Sequence, residues 1–323
     1  MSALLDPVIL FFVLGLLAGV VGSKLDVPSA IVRFLSIYLL MAIGLKGGIA
    51  LAEAGLSKPV LVTLAGAMLL AFAIPLLAHQ IVKRLTDPYN AAALAATYGS
   101  VSAVTFITAN QFLGYAGVPF GGHMTVALVV METPAVIMGL WLATRTRHQL
   151  GHSEASAAHA HTPLGMLREC LTDGGQVILL GSLVIGFVVG PTGAEPLLPL
   201  IKWLFKGLLA IFLLDMGWQV AQHLPNARKQ SPWLLIYAVV APMLHALLAI
   251  GFAWATGMSI GDATLLAVLA ASASYIVVPA VVRDAIPEAS PAVFLGMSLG
   301  VTFPFNILIG IPLYYGMASA VLG

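Results

Sequence analysis

Two short polar stretches sit inside otherwise apolar runs, "YGSVSAVT" from Tyr98 and "AASASYIVVP" from Ala270. Each places a Ser-x-Ser at the same internal position, Ser100 and Ser102 in the first, Ser272 and Ser274 in the second. In hydrocarbon an unpaired backbone polar group costs several kcal/mol, so a helix breaks at such depth only where protein or a watery cavity surrounds it. Gly99 before one pair and Pro279 after the other are the local reasons for a break. A broken helix exposes an N-terminus with free N–H groups and partial positive charge, and Ser102 and Ser274 are placed to cap such ends. Two opposed helix N-termini make an anion site without a basic side chain. The competing reading is that these hydroxyls bond back to a preceding carbonyl or join neighbouring helices. Repetition at matched positions favours the site.

Acidic groups buried in a span are costly, and their default reading is functional. Glu132, in "VVMETPAV", precedes Pro134 deep in an apolar run, and Asp215 lies in "IFLLDMGW". Either suits Na⁺ through hard oxygen ligands or the carriage of a proton, and for Asp215 a salt bridge or a capping role competes. Asn306, after Pro304 in "TFPFN", adds an amide oxygen next to carbonyls that a proline frees, with helix packing as the alternative. Lys46 in "GLKGG" either snorkels or meets the substrate. His245 is read as a packed histidine. His148, His152, His159 and His161 are irregularly spaced among Ala and Ser, which fits a flexible loop better than a metal site. No GxxxxGK[ST], HExxH or GxSxG occurs, so neither an ATP-driven motor nor a hydrolase of those types is expected, and no enzyme activity.

Composition tells what must position these residues. Of 323 residues 60% are hydrophobic and 8% charged, with mean hydropathy +1.02. A soluble domain would carry about 25% charge, so this is an all-α polytopic membrane protein. The net charge of +1, without a basic cluster interleaved with aromatics, gives no nucleic-acid signature. The lone Cys170 has no internal disulfide partner. The N-terminal segment bears Asp6 rather than a basic n-region and reads as a retained first span. Apolar runs fall near 7–22, 30–50, 59–79, 90–112 and 124–143, then near 174–190, 198–219, 232–256, 262–285 and 291–318.

The ten runs form two repeats, 1–147 and 173–323, joined by a hydrophilic linker over 148–172. "VLGLLAGV" from Val13 matches "VIGFVVGP" from Val184, and "LMAIG" ending at Gly44 matches "LLDMG" ending at Gly217. Pro59 matches Pro232, the two serine pairs match, and Pro134 matches Pro304; all keep an offset of 170 to 173 residues. Five spans per repeat force opposite orientations, the inverted repeat of secondary transporters. Spans 4 and 9 are the broken ones. With the N-terminus outside, the outer loops hold Lys46, Lys58, Lys202 and Lys206, against ten Lys and Arg on the other face. The positive-inside rule then puts both termini outside and the linker in the cytoplasm.

The segments "AIGLKGG" from Ala42, "YGSVSAVT", "METPA" from Met131, "KGLLAIFLLDMG" from Lys206, "LAVLAASASYI" from Leu266 and "LGVTFPFNILIGIPLY" from Leu299 together resemble the sodium-dependent bicarbonate transporter family. The resemblance covers nearly the whole chain. It implies an elevator-type movement of a core domain against a scaffold domain, a homotrimer, and a PII-like cytoplasmic regulator in some members. It also implies bicarbonate held between spans 4 and 9 by Ser100, Ser102 and Thr105 on one side and Ser272 and Ser274 on the other; the residues themselves add Gly99 and Tyr275 to the expected substrate site. It implies Na⁺ beside the anion, with Glu132 matching an acidic position before the span 5 proline; Asp215 and Asn306 are the further coupling candidates read from the residues, and no other cofactor is expected. Tyr275 is a departure, since cyanobacterial members carry an Asp after the second serine pair. The expected function is Na⁺-driven import of bicarbonate across the inner membrane. The alternatives are a proton- or Na⁺-coupled carrier of another small anion or carboxylate, and a membrane sensor or channel.

Overall fold

The computed structural model describes residues 6–25, 27–55, 57–149, 172, 174–275, 278, 282 and 286–323. Most of the linker, with His152, His159, His161 and Cys170, lies outside the described residues, as does Pro279. The fold is all-helical. Its helices are α1 (Pro7–Val20), α2 (Ser29–Ala54), α3 (Lys58–Val82), α4 (Pro88–Gly99), α5 (Ala103–Tyr115) and α6 (His123–Gln149). After the linker come α7 (Gly174–Ala194), α8 (Leu198–Trp203), α9 (Phe205–Arg228), α10 (Pro232–Thr256), α11 (Ile260–Ala271) and α12 (Pro291–Leu322). Among the described residues, seven helical stretches are long and apolar enough to cross a membrane, counting α4 with α5 as one. The apolar α1 and α11 are shorter. The run expected over 198–219 is two helices, the six-residue α8 and then α9, which extends to Arg228.

Local chemistry sets the starts. The Asp6 carboxylate caps α1 by accepting from the Val8 N–H at 2.9 Å. Asp87 caps α4 through the Tyr89 and Asn90 N–H groups, and Ser259 caps α11 through that of Asp262. Each of these supplies a partner for amides that a helix start leaves unpaired. α4 and α11 are counterparts in detail: both run twelve residues and both end on an extended serine, Ser100 and Ser272.

Packing separates two groups of helices. In one, α1 lies against α9 and α2 against α7; in the other, α3 packs on α4 and α6, and α11 packs on α5, α10 and α12. Glycine permits the close approach in the first group. A Cβ on Gly15 would run into the Leu214 carbonyl, on Gly217 into the Phe12 carbonyl, on Gly48 into the Leu183 carbonyl and on Gly186 into the Leu45 carbonyl. Small residues also line the contacts between groups, with Gly47 against Thr125 and Gly296 and Gly300 against Ala227. Gly48→Leu is therefore expected to prise α2 from α7, with a cost at or above the roughly 1–3 kcal/mol of ordinary overpacking. The check is the yield of monodisperse protein and its melting temperature in detergent, both of which should fall.

Candidate functional site

α4 stops at Gly99, and Ser100 (φ −93°, ψ 175°) and Ser102 (φ −110°, ψ 110°) run extended before α5 begins. Gly99 itself is helical and has no positive φ. Its lack of a side chain serves contact instead, because a Cβ there would meet the Pro75 ring of α3. The neighbouring Tyr98, fully buried, donates its hydroxyl proton to Thr302 Oγ1 at 2.6 Å. Thr302 spends its own proton on the Ala238 carbonyl at 2.7 Å, which fixes that direction. This chain ties the end of α4 to α12 and α10. The breaks are therefore anchored from outside as well as capped from within.

The two breaks cross and satisfy each other. The Ser102 N–H donates to Ser272 Oγ at 2.9 Å, and the Ser274 N–H donates to the Thr97 carbonyl at 2.9 Å. Ser272 Oγ also donates to the Leu269 carbonyl at 2.9 Å. Asn306 Nδ2 donates to the Ala271 carbonyl at 2.9 Å, while its Oδ1 accepts from the Tyr314 hydroxyl at 2.8 Å. Backbone groups that unwinding would orphan are thus paired from one break to the other. Asn306 opens the second of two π-helical turns of α12, Ser298–Thr302 and Asn306–Gly310, which bracket Pro304. Helical irregularities of this kind gather at functional sites.

Three hydroxyl groups at the crossing keep a proton to give. Ser102 Oγ caps α5, accepting from the Thr105 N–H at 3.2 Å and from Thr105 Oγ1 at 2.9 Å, so its own hydrogen is uncommitted. Ser274 Oγ accepts from the Val278 N–H at 3.3 Å and is left in the same condition. The Tyr275 hydroxyl is buried beside Ser102 and, among the described residues, no partner meets it in hydrogen-bond geometry; its ring leans on Phe303 with centroids 5.0 Å apart. All three line one cavity of about 380 Å³, together with Glu132 and the first residues of α5, Ala103 and Val104. The amides of a first helical turn have no partner within the helix, so the α5 N-terminus adds donors and partial positive charge. The opposite wall is α2 and the start of α7, with Arg33, Ser36 and Gln176 among its residues.

The structure brings four of the expected site residues into the cavity wall: Ser102, Ser274, Tyr275 and Glu132. Gly99, Ser100, Thr105, Ser272 and Asn306 build the crossing behind it and do not line the cavity. Ser100 Oγ is buried with no hydrogen-bond partner among the described residues. Asp215 also lies outside the lining; it is 3% exposed on α9 and accepts from Gln219 Nε2 at 2.6 Å. Lys46 stands over the Phe205 ring at 4.5 Å, and His245 is buried in α10. His148 is exposed at the end of α6. Among the described residues no group of three or more His, Cys, Asp or Glu could hold a metal ion. Arg33, Ser36, Gln176 and Phe212 line the cavity without having been singled out from sequence. The i, i+3 spacing of Arg33 and Ser36 along α2 is the one sequence signal that could have placed them on a shared face.

A family model described as the Na⁺-dependent bicarbonate transporter superfamily matches residues 7–319. The chain belongs to that superfamily. No curated protein matches it. Within the Na⁺-dependent bicarbonate transporter superfamily, membership and the membrane-spanning helical build together support transport of bicarbonate or a related anion. The chemistry of the cavity agrees with such a cargo: uncommitted hydroxyl protons and a helix N-terminus stabilise negative charge, and the Glu132 carboxylate stands beside them.

Proposed function

We propose that the protein is a secondary carrier that imports bicarbonate together with Na⁺ across the inner membrane, and that it is not an enzyme. The observation that carries this reading is the convergence of Ser102, Ser274, Tyr275 and Glu132 on one cavity where two broken helices cross. Hydroxyl protons and the α5 N-terminus take the anion. Glu132 and oxygen atoms of the unwound segments suit a hard cation beside it. At about 4 Å a monovalent ion pair in a partly polar interior gains on the order of 4 kcal/mol, enough for each ion to favour the other's binding. That mutual preference is what couples a gradient of one to movement of the other.

The helix pairs support an inverted repeat. α1 pairs with α9 and α2 with α7, so each pair joins one helix from either half, and the two pairs exchange when the halves are exchanged. Joining α4 to α5, and α11 to the segment holding the helical Val278 and Val282, gives ten spans in two sets of five. On this reading α1, α2, α7 and α9 are the scaffold of an elevator and the remaining spans its moving core. The glycine-lined contacts between α2 and α6 and between α9 and α12 suit sliding. With both termini outside, the cavity opens at the cytoplasmic ends of α2 and α7, which makes this an inward-facing state.

Proteoliposomes loaded against labelled bicarbonate test the reading. With an inward Na⁺ gradient, uptake should exceed that with K⁺ or choline by about tenfold or more, as a coupling of 1–3 kcal/mol implies. Equal uptake in all three salts would remove Na⁺ coupling, and no uptake in any would remove bicarbonate as cargo.

A further inference from the structure

Among the described residues, Arg33 is the single Lys or Arg in the cavity lining, and Glu132 is its single carboxylate. The two lie on different bodies, Arg33 on α2 and Glu132 on α6. Along α2 the lining residues Arg33, Ser36, Ile37 and Leu40 follow i, i+3, i+4 and i+7, one continuous helix face. α2 and α7 run parallel, since Gly44 meets Leu179 and Gly48 meets Leu183. The start of α7 at Gly174 therefore lies level with α2 near Leu39 and Leu40, and Arg33 stands about 10 Å further along, at the cavity mouth. Arg33 is exposed and makes no salt bridge with any described residue.

We propose that Arg33 forms a second, weaker anion station at the mouth of the cavity, which receives bicarbonate from the hydroxyl groups of Ser102, Ser274 and Tyr275 and passes it to the cytoplasm. The station rests on the carrier reading above. An anion leaving the crossing along this cavity meets one cationic side chain among the described lining residues, the Arg33 guanidinium. Its planar fork of donors matches two oxygens of a planar oxyanion. Low-dielectric cavity walls focus the field of this one cation along the exit path. Because Arg33 belongs to the scaffold, the core-held site faces it only when the core stands at this end. The station thus serves one side of the membrane and contributes nothing to capture on the other.

The test is side-specific exchange of labelled bicarbonate in oriented vesicles carrying the wild type, Arg33→Gln or Arg33→Lys. Arg33→Gln should raise the KM on the mouth side by about three- to tenfold, the range of a partly screened charge, and leave the KM on the other side unchanged. Arg33→Lys, a point charge without the fork, should fall between. Added salt should raise the mouth-side KM of the wild type and not that of Arg33→Gln. An Arg33→Gln KM equal to the wild type on both sides would overturn the station while exchange itself upholds the carrier. Absence of any bicarbonate exchange in the wild type would overturn the carrier reading and the station with it.

Discussion

Ser102→Ala is expected to lower apparent bicarbonate affinity by about ten- to hundredfold, because a hydrogen bond to a charged group is worth roughly 1.5–3 kcal/mol. The residue does two things at once. Its oxygen caps α5 by accepting from the Thr105 N–H, and its proton remains for the anion. Loss of the cap alone costs about 1 kcal/mol of stability. The two contributions separate in the measurement. Melting temperature in the absence of bicarbonate reports the cap, and the concentration of bicarbonate for half-maximal uptake reports the donor. The Ser102 N–H to Ser272 bond is made by backbone and survives the substitution, so the crossing itself should hold. Unchanged affinity would mean that the anion binds elsewhere.

Glu132→Gln should abolish the dependence of uptake on Na⁺ and reduce its rate by about tenfold or more, consistent with a coupling energy of 1–3 kcal/mol. The amide keeps size and one oxygen but loses the charge that holds a hard cation. Asp215→Asn is the informative contrast. Asp215 is as buried, yet it lies outside the cavity and is bonded to Gln219 on its own helix. Its substitution should shift thermal stability and leave the Na⁺ dependence of uptake in place. If Glu132→Gln retains a wild-type Na⁺ response while Asp215→Asn loses it, the cation site belongs in α9 and not at the crossing.

These contrasts show which features the chain spells out. The breaks at the two serine pairs, and the capping of α5 by Ser102, were legible because a Ser-x-Ser repeated at constant offset is a local pattern. Partners were not legible. Symmetry alone would have Ser274 N–H seek Ser100 Oγ, the counterpart of the Ser102 to Ser272 bond, but it takes the Thr97 carbonyl and leaves Ser100 Oγ without a partner among the described residues. Near-identical motifs settle into unequal bonds because the packing around each differs. Gly99 illustrates the same limit: it reads as a helix breaker, whereas its role is to admit the Pro75 ring. Arg33 was visible only as one more charge near a loop, since its place in the cavity depends on how α2 and α7 align. Asn306 was read as a coupling oxygen with helix packing as the alternative, and only the fold shows that its Nδ2 is spent on the Ala271 carbonyl at the second break and its Oδ1 on the Tyr314 hydroxyl of its own helix.

The central claim is that the crossing of the two broken spans is where the anion binds. It is tested most directly by a structure of the purified protein determined with saturating bicarbonate and Na⁺. Density for a planar anion within hydrogen-bond distance of Ser102, Ser274 and Tyr275, with a cation next to Glu132, is the expected result. A cavity free of anion density, or an anion seated away from those hydroxyls, would contradict it.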